Sequence, residues 1–291
     1  MRWTHSIVLG LLLVASAPTL PAQVTVDLEL DQEQFLEGES LPVKVRITNL
    51  SGETLHLGQD EDWLVFSIAS PSGEGVSKLG NVPVKGEFSM GSSRVASRFV
   101  NLEPYYNLEP GRYQITAYVK IKQWNQETAS RSKVIEVLHG TRIWEQMVGV
   151  PQVDRPPEPR LFALIQADYR NRLFLYARVC DASEQKVYRV FPLGRLVSFG
   201  RPEVQIDAES NMHVLFQTGP RSFTYSQVDP HGGLLLRQRY DYLDSSRPHI
   251  RSREQGGLTI MGGIRQPMAN DLPPPGFASS TNDVQSATPS P

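Results

Sequence analysis

Residues 41–49 read LPVKVRITN, in which Val43, Val45 and Ile47 alternate with Lys44, Arg46 and Thr48. A period of two puts one set of side chains on a core face and the other in water, the pattern of a strand covered on one side. Working outward, residues 24–30 (VTVDLEL) alternate in the same way, with Val24, Val26, Leu28 and Leu30 set against Thr25, Asp27 and Glu29. Residues 63–69 (WLVFSIA), 95–102 (VASRFVNL), 113–121 (YQITAYVKI) and 132–138 (SKVIEVL) supply further short strands. NLSG at 49–52 and SPSG at 70–73 are turn chemistry, because Asn and Gly tolerate the left-handed backbone. Short strands at this spacing, with Gly/Pro turns between them, predict a β-sandwich over residues 23–138.

The whole chain has 291 residues and a formal net charge of −2. That length allows two domains of about 100–200 residues. The charge excludes a strongly basic nucleic-acid binder, so no nucleic-acid partner is expected. With 22 Gly and 22 Pro, long helices are disfavoured. The lone Cys180, at the end of an apolar run, excludes an intrachain disulfide and a multi-cysteine metal site. At the N-terminus, Arg2 and His5 precede an apolar run at 7–17 (IVLGLLLVASA), followed by APTLPAQ. The run falls short of the roughly 20 residues a bilayer demands, so residues 1–22 read as a signal peptide cleaved after Ala22. The expectation is an exported protein, periplasmic or extracellular, with no stable membrane span after cleavage.

Leu108, Pro110, Gly111 and Tyr113 fit an L-x-P-G-x-Y pattern, in which Pro-Gly makes a turn and Tyr113 begins a strand. This resembles the Ig-like modules of secreted bacterial proteins. Residues 35–57 (FLEGESLPVKVRITNLSGETLHL) are similar to the opening strands of those modules, distantly including proteinase-inhibitor domains of the BsuPI type. The resemblance implies an Ig-like sandwich, in which such a tyrosine bonds back to the preceding turn. It specifies fold and not activity. The antibody-type disulfide is absent and no inhibitory loop is identifiable.

Residues 160–263 carry an incomplete repeat. Aligning 172–180 (RLFLYARVC) with 212–219 (MHVLFQTG) and 258–263 (LTIMGG) makes Leu173, His213 and Leu258 begin equivalent strands. The second unit reads EVQID, MHVLFQ, SFTYSQV and LLLRQRY, joined by AESN, TGPR and DPHGG; FPLG at 191–194 is the matching turn expected in the first. Four short strands per roughly 40–45 residues is the period of a propeller blade, and the region resembles β-propeller repeats of bacterial exported proteins. The resemblance implies a C-terminal antiparallel β-meander of propeller-blade-like repeats, with too few blades to close a ring. The fold class expected for the chain is therefore all-β. Residues 139–159 are expected to be a linker: the spacing of Trp144, Met147 and Val148 predicts a short helix, and VDRPPEP a stiff extended stretch. Residues 264–291, rich in Pro, Ser, Thr and Asn, read as a disordered tail. Acidic side chains are in excess over residues 24–139, and basic ones, nearly all Arg, over 140–263.

The chemistry-bearing residues are sparse. The histidines are scattered and H-E-x-x-H does not occur, so no metal site and no cofactor is predicted. Asp60, Glu61 and Asp62 lack the spacing and turn glycine of a calcium loop and read as a solvated loop. Neither G-x-S-x-G nor a phosphate-binding G-x-x-x-x-G-K-[ST] is present, and Cys180 has no activating neighbour, so no catalytic residue is assigned. Trp63 falls in a strand and reads as core. Tyr105, Tyr106 and Trp124 fall in turns and are expected to be exposed, marking a protein interface or a platform for sugar rings. The expected function is a non-enzymatic binding or scaffold protein whose partner is another exported protein or a second copy. A carbohydrate-binding module holding a glycan and a protease inhibitor built on the Ig-like module stand as alternatives.

Overall fold

A computed structural model describes residues 24–197, 200–242, 246–253 and 257–273. The expected signal peptide lies outside the described residues. Among those described the chain is all-β, apart from two single 3-10 turns at Glu103–Tyr105 and Lys122–Trp124, and no helix is long and apolar enough to cross a membrane.

The first module runs through β1 (Val24–Glu29), β2 (Gln34–Leu36), β3 (Pro42–Asn49), β4 (Leu55–Leu57), β5 (Leu64–Ala69), β6 (Phe88–Met90), β7 (Arg94–Asn101), β8 (Gly111–Ile121), β9 (Gln126–Ala129) and β10 (Lys133–Leu138). One sheet has the order β1-β3-β7 and the other β2-β10-β8-β5, with β9 pairing the far end of β8 and β4 pairing β6. Val26, Leu28, Val43, Val45 and Ile47 from the first sheet meet Phe66, Ile68, Ile115, Ala117 and Val119 from the second in one core. The period-two reading of these strands holds residue by residue, because each sheet has one face in this core and the other in water. Trp63 is in the core and donates from Nε1 to the Val84 carbonyl at 2.9 Å. The opening segment divides: β1 pairs antiparallel with β3, whereas β2 pairs parallel with β10 in the opposite sheet. Tyr113 Oη donates to the Glu109 carbonyl at 2.8 Å across the Pro110-Gly111 turn.

The second module starts after two residues, His139 and Gly140. It comprises β11 (Thr141–Gln152), β12 (Arg155–Tyr169), β13 (Arg172–Asp181), β14 (Val187–Arg195), β15 (Glu203–Ile206), β16 (Met212–Gln217), β17 (Ser222–Val228), β18 (Leu234–Asp241), β19 (His249–Ser252), β20 (Leu258–Met261) and β21 (Ile264–Gln266). Two antiparallel meanders result, β11-β12-β13-β14 and β15-β16-β17-β18-β21, followed by the two-stranded β19-β20. They stack face to face. Phe162, Leu164, Leu175 and Ala177 of the first meander meet Met212, Val214 and Phe216 of the second. Leu215, Phe223 and Tyr225 on the reverse of the second meet Ile250 of β19. The reverse of the first meander, through Ile165, Ala167, Tyr176 and Val190, packs on Leu36 of the sandwich.

Four expectations need correction. Residues 141–152 are a strand and not a helix: Trp144 and Val148 lie half-buried on one face while Met147 is exposed on the other, as alternation requires. The expected linker 139–159 is filled by β11 and the start of β12, and VDRPPEP turns and returns along β11, with Gly149 opposite Pro159 and Val150 opposite Glu158. The prolines are tolerated because β13 begins its pairing with β12 only at Arg160, leaving that half of β12 with one neighbour. FPLG at 191–194 lies inside β14, and the repeat alignment is one strand out of phase, since β13 is third in its sheet and β16 second. The tail is folded at its start. β21 pairs β18, and Asp271, buried, accepts from Arg265 Nη2 and from the Met268 N–H, each at 2.8 Å. Residues 274–291 lie outside the described residues.

Candidate functional site

The two modules leave a groove of about 800 Å3 between them. Glu37, Glu103, Tyr106 and Leu108 stand on the sandwich side, and Lys186, Tyr188 and Arg189 on the meander side. The segregated charge of the sequence therefore becomes two facing walls, one acidic and one basic. Burial pushes the Glu103 carboxyl above its usual range. On the basic wall the Arg160 guanidinium lies 3.8 Å from the Tyr188 ring centroid and the Lys186 ammonium 4.6 Å from it. Arg160 is only 1% exposed, and Glu158 Oε1 accepts from both Arg160 Nη1 (3.1 Å) and Tyr188 Oη (3.0 Å). This arrangement fixes the tyrosine ring and keeps the buried charge paired.

The three aromatics singled out from the sequence are not gathered into a platform. Tyr106, expected to be exposed, is 3% exposed and donates from Oη to the Phe66 carbonyl at 2.7 Å, and burial pushes its pKa up to about 12. Tyr105 and Trp124 are half-buried against the sandwich core. Tyr106 and Leu108 border the groove; Tyr105 and Trp124 do not line it. Cys180 is fully buried on β13, and burial raises its thiol pKa. The acidic loop is tied down, with Lys120 on Asp62 and Lys122 on Asp60. Among the described residues no three His, Cys, Asp or Glu side chains gather as metal ligands would.

Sequence reasoning missed a buried network in the second meander. His213 Nε2 lies 2.9 Å from Asp207 Oδ2, and Nδ1 lies 2.5 Å from Tyr225 Oη. Burial works to raise the Asp207 carboxyl, but bonds from His213 and from the side chain and backbone N–H of Asn211 outweigh it and hold it below the usual range. An ionised Asp207 only accepts, so His213 donates to it from Nε2, and the Tyr225 hydroxyl is paired with Nδ1. Burial is the main cause that pushes the Tyr225 phenol up to about 12, so it stays protonated. With His213 4% and Tyr225 5% exposed, this is a brace within the sheet and not an accessible acid–base set. The readable signal was diagonal placement: Tyr225 sits opposite Leu215 and Gln227 opposite His213, which puts His213 and Tyr225 on one face two positions apart.

No family model matches the sequence, and no curated protein matches it. A solved structure, that of the sporulation control protein Spo0M from Bacillus subtilis, aligns with 55% of this chain and 80% of its own at 11% identity and a TM-score of 0.31. That likeness assigns neither a family nor an activity.

Proposed function

We propose that the chain is an exported, non-enzymatic binding or scaffold protein, built on an Ig-like sandwich and propeller-blade-like meanders and acting through contacts with a protein partner. The Ig-like reading is supported by the divided first strand, β1 on one sheet and β2 parallel to β10 on the other, and by the Tyr113–Glu109 bond. Export rests on the basic start, short apolar run and small-residue exit of residues 1–22. The observation that carries the binding reading is the groove, where acidic and basic walls from different modules face each other across space large enough for a ligand. The test is capture: the chain from Gln23 is expressed with a tag in its native host, crosslinked mildly and purified. The expected result is one protein in stoichiometric amount with crosslinks at the groove. Recovery of the bait alone, or turnover of a substrate lost on changing one buried polar residue, overturns the reading.

A further inference from the structure

β7 ends the β1-β3-β7 sheet and pairs only with β3, so one side of it is a sheet edge. The Leu102 N–H donates to the Leu41 carbonyl at 2.9 Å, which makes Leu41 and Leu102 a hydrogen-bonded pair. Alternation from there bonds Val100, Arg98 and Ala96 to Val43, Val45 and Ile47, and aims the N–H and C=O of Val95, Ser97 and Phe99 out of the sheet. Pro42, which has no N–H, falls opposite Asn101 in a pair without hydrogen bonds, as this phase requires. No residue of β7 is buried. Among the described residues no backbone group reaches the outward-aimed groups; Arg98 Nη1, on the same strand, donates to the Ser97 carbonyl at 3.0 Å. The side chains of Val95, Ser97 and Phe99 share the outer face of the sheet, where Phe99 is 75% exposed and Val95 47%.

Such an edge invites a further strand, and the sequence of β7 is its own complement. Two copies laid antiparallel about a twofold axis at Ser97 set Val95 of each opposite Phe99 of the other, and Ser97 opposite Ser97. Each is a pair of outward-aimed residues, so both main-chain bonds close at every one. On the core-side face Arg98 meets Ala96, which leaves room for it, and the Ser97 N–H of the second copy takes the place of Arg98 Nη1 on the Ser97 carbonyl. Moving the axis to Arg98 sets like charges directly opposite, which opposes pairing. Moving it to Ala96 puts Phe99 opposite Ser93, beyond the end of the strand.

We infer that β7 pairs with β7 of a second copy in the Ser97 register, joining two sandwiches through one continuous sheet. The occupant is a second copy because the edge supplies its own match: apolar against apolar outside, large against small inside, and no like charges opposed. Residues 95–99 do not line the groove, which meets this strand only at Asn101, so the inference stands apart from the groove.

The test is cysteine pairing in the full chain, in which the buried Cys180 gives no background. At the axis the opposed Cα atoms stand about 5.5 Å apart, within disulfide reach. Val95 and its own copy are about 14 Å apart, outside it, and so are Phe99 and its copy. Under mild oxidation Ser97→Cys is expected to form a covalent dimer at least about tenfold faster than Val95→Cys or Phe99→Cys alone, and those two variants mixed are expected to crosslink to each other. The natural chain should sediment at twice its own mass, and Phe99→Lys should raise the dissociation constant at least about tenfold with an unchanged circular dichroism spectrum. Equal rates at all three positions, a monomer at every concentration, or Ser97→Cys crosslinking to a different protein overturns the inference. The cysteine series decides the matter even if Phe99→Lys misfolds. Capture of a partner at the groove with no dimer through β7 removes this inference and leaves the binding reading; a β7 dimer with no captured partner does the reverse.

Discussion

At the scale of single residues, a buried polar group is safe only while every partner stays in place. Tyr225→Phe removes the hydroxyl paired with His213 Nδ1 and leaves that nitrogen buried without this partner. The expected cost is about 1–3 kcal/mol, read as a lower urea midpoint with an unchanged slope. The same network sets an acid dependence. Because the folded carboxyl of Asp207 lies below its unfolded value, its contribution is complete above the ordinary Asp pKa of about 3.9 and is lost as pH falls through the lower folded value. Urea midpoints measured between neutral and strongly acidic pH should therefore drop more steeply at the acid end for the natural chain than for Asp207→Asn. Legibility differed among residues for a physical reason. Trp63 reads as core from the apolar run it opens, although it precedes β5 and is out of phase with the buried Leu64, Phe66 and Ile68. Tyr106 does not, because a turn position says nothing about whether the ring faces water or, as here, the Phe66 carbonyl.

At the scale of elements, strands with one wet face were legible and strands with two dry faces were not. Residues 161–165 and 212–216 are buried without alternation, since each sheet of the stack is covered on both sides, and such runs have no period to phase a repeat. That is why the repeat alignment slipped by one strand. Trp144, Met147 and Val148 satisfy helical spacing by coincidence, and the prolines of residues 156–159 suggest a linker unless it is known that their strand has a single neighbour there. This ribbon is anchored where Ser210 Oγ donates to the Gly149 carbonyl at 3.1 Å. At the other end, β21 covers the edge of β18. A chain ending at Gly263 exposes that edge and lacks the Arg265–Asp271 pair. It should melt at lower temperature and scatter more light on heating than the full chain, as an uncapped edge invites pairing between molecules.

At the scale of the whole molecule, the sandwich and the meanders are joined by His139 and Gly140, by the apolar cluster around Leu36 and by the Arg170 N–H donating to Gln34 Oε1 at 2.9 Å. A Cβ on Gly140 would land against Ile165 Cγ2 and 2.8 Å from Leu36 Cδ1, so the chain crosses between modules through the packed joint itself. All-β character was legible; the order in which the sheets stack was not, because it depends on which faces meet across loops. Leu36 contributes to the joint from the sandwich side. Leu36→Asp places a charge there, and calorimetry should resolve two unfolding transitions where the natural chain gives one. Gly140→Ala should shift the same balance in the same direction by prying Leu36 from Ile165. The joint also governs Brownian rotation. With no slack between the modules, nuclear spins in the sandwich and in the meanders share one correlation time, and in a weakly aligning medium their dipolar couplings fit a single tensor.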